Sequence, residues 1–220
     1  MIQAFLLSFK LAAITALVLL AFGVPLAYWL TFNDFRGRRL LEAVLLLPLT
    51  LPPTVLGFYL LVLFSADGPL GNLGLRWAFS FAGILLGSII FSLPFALTAY
   101  KEAFRAIDPE VLDVVRTLGV SRWKRWRKVI LPWIWPGLIS GTLLAFAHTL
   151  GEFGVVLLVG GSIPGKTRVA SIYIFDLVQA LDFESAHQAA AIFVVLSLAL
   201  IYAVRSLEEA WKSRIGSSIR

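Results

Sequence analysis

A chain of 220 residues that is 59% hydrophobic, with a mean hydropathy of +0.88, carries far more apolar surface than one soluble domain of that size can bury. A soluble globular protein is therefore excluded and an integral membrane protein is expected. The net charge of +6 needs no nucleic acid, because basic loops beside anionic lipid account for it. With no cysteine, disulfides, thiol catalysis and cysteine metal sites are excluded as well.

Five apolar runs approach or exceed the roughly 20 residues a spanning helix needs: Ala4–Leu30, Leu40–Phe64, Phe79–Tyr100, Trp133–Val159 and Ala186–Arg205. The first is too long for a signal peptide and has no basic segment ahead of it, so it is expected to be retained. Fifteen of the 19 Lys and Arg fall in the Arg36-Gly37-Arg38-Arg39 turn, the Lys101–Lys128 loop and the stretch from Arg205 onward. The opposite side holds Lys10, Arg76, Lys166 and Arg168. This asymmetry predicts an N-terminus outside and a C-terminus in the cytoplasm.

In the second run, Leu47-Pro48-Leu49-Thr50-Leu51-Pro52-Pro53-Thr54 places three prolines near the middle. Each removes a backbone donor and crowds the preceding turn, so the helix should kink or break there. Such a break is tolerated where protein or a water-filled cavity covers it. Thr50, Pro52, Pro53 and Thr54 are thus candidates for a pore or subunit interface, with a kink that only shapes the bundle as the alternative. Pro94 in the third run is a weaker instance.

Lys101–Pro132 is more ordered than a simple connection requires. Asp108 is a good N-cap, Pro109 fits the first helical position, and Gly119 suits the left-handed residue that ends a helix over Pro109–Leu118. Val111, Val114, Val115 and Leu118 share one face at helical spacing. A second helix is expected from the Ser121 cap through Arg122–Lys128, meeting the next span at Leu131-Pro132. Trp123 and Trp126 suit the lipid interface. The loop reads as a docking element.

Glu152, with His148 one turn earlier, lies in the apolar fourth run about 28 Å along from Trp133. An ionisable group in a bilayer costs roughly 3 kcal/mol, so it faces the bundle interior. It is a pore or dimer-interface candidate, or a structural hydrogen bond near the end of a tilted helix. No metal cluster or nucleophile triad can be assembled from the residues present.

Gly160-Gly161-Ser162-Ile163-Pro164-Gly165-Lys166-Thr167 matches the phosphate-loop pattern letter for letter. It is rejected here, since Ile172 stands only five positions after Thr167, which leaves no room for the helix a phosphate loop must precede. Lys166 and Arg168 are better read as facing an anion or an external partner. The following Val169–Val178 stretch predicts a short helix at the surface or dipping into the membrane.

Asp113-Val114-Val115-Arg116-Thr117-Leu118-Gly119, nine residues, then Val129-Ile130-Leu131-Pro132 resembles the coupling-loop signature of the membrane-spanning subunits of ABC importers. That signature is Glu-Ala-Ala, three residues, Gly, nine residues, Ile-x-Leu-Pro. Asp for Glu, Val-Val for Ala-Ala and Val for Ile are the departures. Leu51–Gly57, Gly151-Glu152-Phe153-Gly154 and Gly161–Thr167 are most similar to molybdate permeases, with tungstate and sulfate permeases close by.

The resemblance implies one transmembrane domain over 1–220, with the type I importer permease (MetI-like) fold, about five spans and a cytoplasmic coupling helix. It further implies a non-catalytic permease in the inner membrane that imports an oxyanion by alternating access. Its partners would be a second copy, cytoplasmic ATPase subunits carrying ATP and magnesium, and an extracytoplasmic binding protein, with no cofactor in this chain. Val111, Asp113, Val114, Val115, Arg116, Thr117, Leu118, Gly119, Leu131 and Pro132 would form the ATPase contact. A secondary carrier and an intramembrane enzyme are the competing classes. The odd span count and the lack of inverted halves argue against the first, and the lack of a nucleophile–base pair against the second.

Overall fold

The computed structural model describes residues 1–218, and the side chains of Arg116, Val204, Arg205 and residues 207–218 lie outside that description. Among the described residues all regular structure is helical. Four helices are long and apolar enough to cross a bilayer: α1 (Ile2–Phe32), α4 (Phe81–Arg105), α6 (Arg122–Leu150) and the Phe183–Ala203 part of α9 (Phe183–Ser218). Helices α2 (Arg38–Leu49) and α3 (Pro53–Phe64) are apolar enough for a further crossing only as a pair, and they meet at 107°, the geometry of a broken span or a re-entrant loop. The break expected at the prolines of the Leu40–Phe64 run is present. The cause is local: Pro48, Pro52 and Pro53 leave the Leu51–Pro52 corner without a continuous hydrogen-bond ladder. At 1.5 Å per residue α3 is only about 18 Å long, too short to cross alone.

Helix α4 is the central column, touching α1, α2, α3, α6 and α7 (Gly154–Gly160). Small residues let α6 approach closely. A Cβ on Gly141 would come to 2.6 Å from the Tyr100 ring, and one on Gly137 would overlap Ala103. The register is antiparallel: Tyr100 Oη bonds Thr142 Oγ1 at 2.8 Å, Ser92 meets His148 and Thr149, and Gly87 then faces Val155. Helix α7 therefore prolongs α6 along α4. The expected Trp133–Val159 span is present, but interrupted at Gly151–Phe153.

Two π-helical turns, Leu19–Gly23 in α1 and Trp126–Ile130 in α6, were not foreseen. Each contains the residue four before a proline: Ala21 before Pro25 and Lys128 before Pro132. A proline gives no N–H to that carbonyl and crowds it, and the wider turn absorbs both effects. The Leu131 N–H accordingly reaches back to the Trp126 carbonyl. Pro132 does not separate two helices, as the sequence implied. The basic Arg122–Lys128 segment is the first part of α6 itself.

The largest core lies at the end of the bundle where the basic segments gather, joining Leu30, Leu97, Tyr100, Phe104, Ile107, Leu112, Ile130 and Ile134. Trp126 packs there against Tyr28 and Phe104, so it is a core-facing residue, whereas Trp123 is exposed as expected at an interface. At the opposite end, α8 (Ala170–Gln179) dips into the bundle. Its Ala170 N–H donates to Ser8 Oγ at 2.8 Å, and Ile172 is buried with Leu11, Ile84 and Val156.

Candidate functional site

The helix α5 (Pro109–Thr117) begins and ends as its sequence dictates. The Glu110 N–H donates to Asp108 Oδ1 at 2.9 Å, and Gly119 takes φ +65° just past the last turn. Leu112, which the sequence reading left out, is buried in the core and fixes the helix to its own subunit. The indole N–H of Trp133 donates to the Ala106 carbonyl at 3.2 Å and closes the loop across 27 residues. Val114 and Leu118 are left 56% and 72% exposed, with Val111 and Val115 half-buried beside them. Asp113 and Thr117 are exposed, and the Thr117 hydroxyl bonds the Val114 carbonyl. Leu131 packs on the core and Pro132 is exposed. The Arg116 side chain is outside the described residues.

A rigid apolar face is therefore presented at the basic end of the molecule. Just inside it, Lys101 is buried and pairs with Glu42 at 2.9 Å, and Glu42 also accepts from Arg38 at 3.1 Å. This chain of charges ties α2 to the end of α4 that leads into α5.

The pore candidates fall in one place. A cavity of about 700 Å³ lies between the α3 break and the α6–α7 break, lined by Pro53, Thr54, His148, Glu152, Phe153 and Leu158 among others. Pro52 is exposed next to it, while Thr50 turns its hydroxyl to the Leu47 carbonyl. His148 is held firmly: its ring stacks on Phe95 at 4.0 Å, lies 4.8 Å from Phe91, and its Nδ1 is 2.9 Å from Ser92 Oγ. Glu152 is 4% exposed, and neither carboxyl oxygen has a hydrogen-bond partner among the described residues. The Thr15 hydroxyl, also buried, is likewise unpartnered, and the buried Ser88 hydroxyl lies close to the Glu152 carboxyl without meeting it in full hydrogen-bond geometry. Leu11, Ile84 and Val156 pack together, and these three polar residues lie one turn from them on α1, α4 and the α6–α7 break.

The phosphate-loop lookalike is closed to phosphate by its own hydrogen bonds. The N–H groups of Lys166, Thr167 and Arg168 all point to the Ile163 carbonyl, at 3.0–3.1 Å. Thr167 is fully buried and donates to the Gly160 carbonyl. Lys166 is exposed, but Arg168 lies 3.9 Å from Asp176 and over the Tyr173 ring, so its guanidinium is largely engaged within the loop. Among the described residues no group of three His, Cys, Asp or Glu side chains could hold a metal ion.

A bundle with broken spans around a cavity, and a capped helix offering an apolar face at its basic end, defines a membrane transport subunit. Residues 20–213 match the family of binding-protein-dependent transport system inner membrane components, and the chain belongs to that family. It is 43% identical over 205 residues to the molybdenum transport system permease protein ModB of Azotobacter vinelandii, covering 91% of both chains. Identity to the Escherichia coli K12 ModB is 38%, covering 97% of this chain and 93% of that one. The sulfate transport system permease protein CysT of the same strain is 34% identical, over 88% of this chain and 72% of its own. The fold is that of type I ABC importer permeases. A bacterial ABC transporter that imports alginate gives a TM-score of 0.80 at 18% identity, over 95% of this chain and 79% of that one. The MetNI methionine transporter in an inward-facing form gives 0.76 at 13%, over 96% and 95%.

Proposed function

We propose that the chain is the permease subunit of an ATP-driven oxyanion importer, with molybdate as its substrate, and that it works as a pair of copies in the inner membrane. The observation that carries the reading is the α5 face: Val114 and Leu118 are held out on a short helix fixed by Asp108, Leu112 and Gly119. Exposed apolar anchors on a rigid helix suit a groove on a partner, here a cytoplasmic ATPase subunit. The basic end then faces the cytoplasm, with the N-terminus outside. Similarity to molybdenum permeases over nearly the whole chain supports molybdate ahead of sulfate.

In this mechanism ATP and magnesium stay on the partner. Closing of the ATPase pair draws the two α5 helices together, α6 carries the displacement to the α3–α7 cavity, and the pore alternates between its two openings. Exposed Lys166, on the loop opposite the basic end, would meet an extracytoplasmic binding protein. Co-purification with an ATPase, followed by ATP-dependent molybdate uptake into proteoliposomes, tests the proposal. Uptake by the chain with no ATP-hydrolysing companion would overturn it, and stimulation of ATP hydrolysis by sulfate alone would overturn the substrate assignment.

A further inference from the structure

We propose that His148 is an oxyanion contact on the translocation path, presenting an Nε2–H to a tetrahedral anion that passes through the cavity between α3 and α7. This rests on the reading of that cavity as part of the pore. The imidazole forms part of the cavity wall, and three contacts fix its orientation: the stack on Phe95, the tilted ring of Phe91 and the bond between Nδ1 and Ser92 Oγ. Behind Ser92, Thr149 Oγ1 lies 2.8 Å from the same hydroxyl. Among the described residues no hydrogen bond is made by Nε2.

The hydroxyl chain gives the ring its polarity. When Thr149 donates to Ser92 and Ser92 donates to Nδ1, the neutral ring must carry its proton on Nε2, and Nε2 becomes a donor. An anion in the cavity selects that direction over the reverse one. The opposite wall complements it. Pro53 has no N–H, and the Val55 and Leu56 N–H groups return to the Pro52 carbonyl. Thr54, the second residue of α3, lines the same space and carries a backbone N–H and a hydroxyl. His148 and Thr54 offer neutral donors without the deep trap that fixed positive charges would create, and because Glu152 also lines the cavity its carboxyl must be protonated while a dianion passes.

The test is ATP-dependent molybdate uptake by the reconstituted complex. His148→Phe keeps the ring between Phe91 and Phe95 but has no donor, and a loss of about tenfold or more is expected with ATPase assembly intact. His148→Gln keeps an N–H near the Nε2 position and should stay within about threefold of the parent. Ser92→Ala and Thr149→Val release the tautomer and should each cost an intermediate, about threefold, decrease. Normal uptake by His148→Phe, or a fall in His148→Gln equal to that of His148→Phe, overturns the proposal. If His148→Phe does not co-elute with the ATPase, His148→Asn, polar but too short, replaces it: activity equal to His148→Gln overturns the proposal.

Because the sequence has no cysteine, Thr54→Cys reports on the pore reading separately. Block of uptake by an anionic thiol reagent at that position supports the cavity as the path, and a normal His148→Phe would then refute only the His148 role. A Thr54→Cys variant that neither reacts nor loses uptake removes the pore reading itself.

Discussion

Gly154 lies directly against Pro53: a Cβ placed on it would stand 2.7 Å from the Pro53 Cβ. The breaks in two separate spans thus touch at one point, and the cavity opens beside it. Gly154→Val forces α3 and α7 apart, and a destabilisation of about 1–3 kcal/mol is expected. Thermal melting of the detergent-solubilised protein checks this, and a melting point equal to the parent's would contradict the close contact.

Leu112 and Val114 are two residues apart on α5, yet one is buried in its own bundle and the other is exposed. Leu112→Ala should destabilise the isolated permease by about 2–3 kcal/mol. Val114→Asp should leave its stability within about 0.5 kcal/mol of the parent while abolishing co-purification with the ATPase. The opposite pattern would assign the docking face wrongly.

Gly119 sits at φ +65° with nothing within 4 Å of a Cβ there. A β-branched residue is therefore opposed by backbone strain of about 1–2 kcal/mol rather than by collision. Gly119→Val should insert normally but separate ATP hydrolysis from uptake, because the α5 exit angle changes. The number of ATP molecules hydrolysed per molybdate imported is the quantity to measure, and an unchanged ratio would count against it.

The Lys101–Glu42 pair is mostly shielded from water, and removal of either partner strands the other's charge. Lys101→Met alone should cost about 1–3 kcal/mol, less than a fully buried pair because Glu42 is partly solvated and still bonded to Arg38. The double change Lys101→Met with Glu42→Gln should recover part of that loss. A double-mutant cycle on the melting curve yields the coupling energy, and a value near zero would show that the contact contributes nothing.

Helix α5 was legible because its information is local: a cap, a proline at the first position, a left-handed glycine and a one-sided row of valines all lie within a dozen residues. The proline break was legible for the same reason. Its angle was not, since 107° depends on what α4 and α7 leave room for. Leu112 was missed because it lies off the valine stripe, and only the partner core at Phe104 and Ile130 gives it a role. The π turns were hidden because a proline predicts a defect without saying whether the helix stops or widens. For His148 the signal was an apolar helix containing one imidazole. Ser92 and the two phenylalanines that position it are more than fifty residues away in sequence, and their meeting is a consequence of the α4–α6 register.

Helix α6 starts at the basic end and stops at the cavity, 29 residues without a full break. At 1.5 Å each, that is a connecting rod of about 43 Å. Its phase matters as much as its length. One residue inserted near Ile139 would lengthen the rod by about 1.5 Å but swing everything beyond it through about 100°, turning the imidazole away from Ser92 and toward lipid. Two insertions of equal size, one in α6 and one in the exposed Gly74–Arg76 stretch, would therefore have unequal consequences: the first puts the two ends of α6 out of phase, and the second is absorbed by a surface loop.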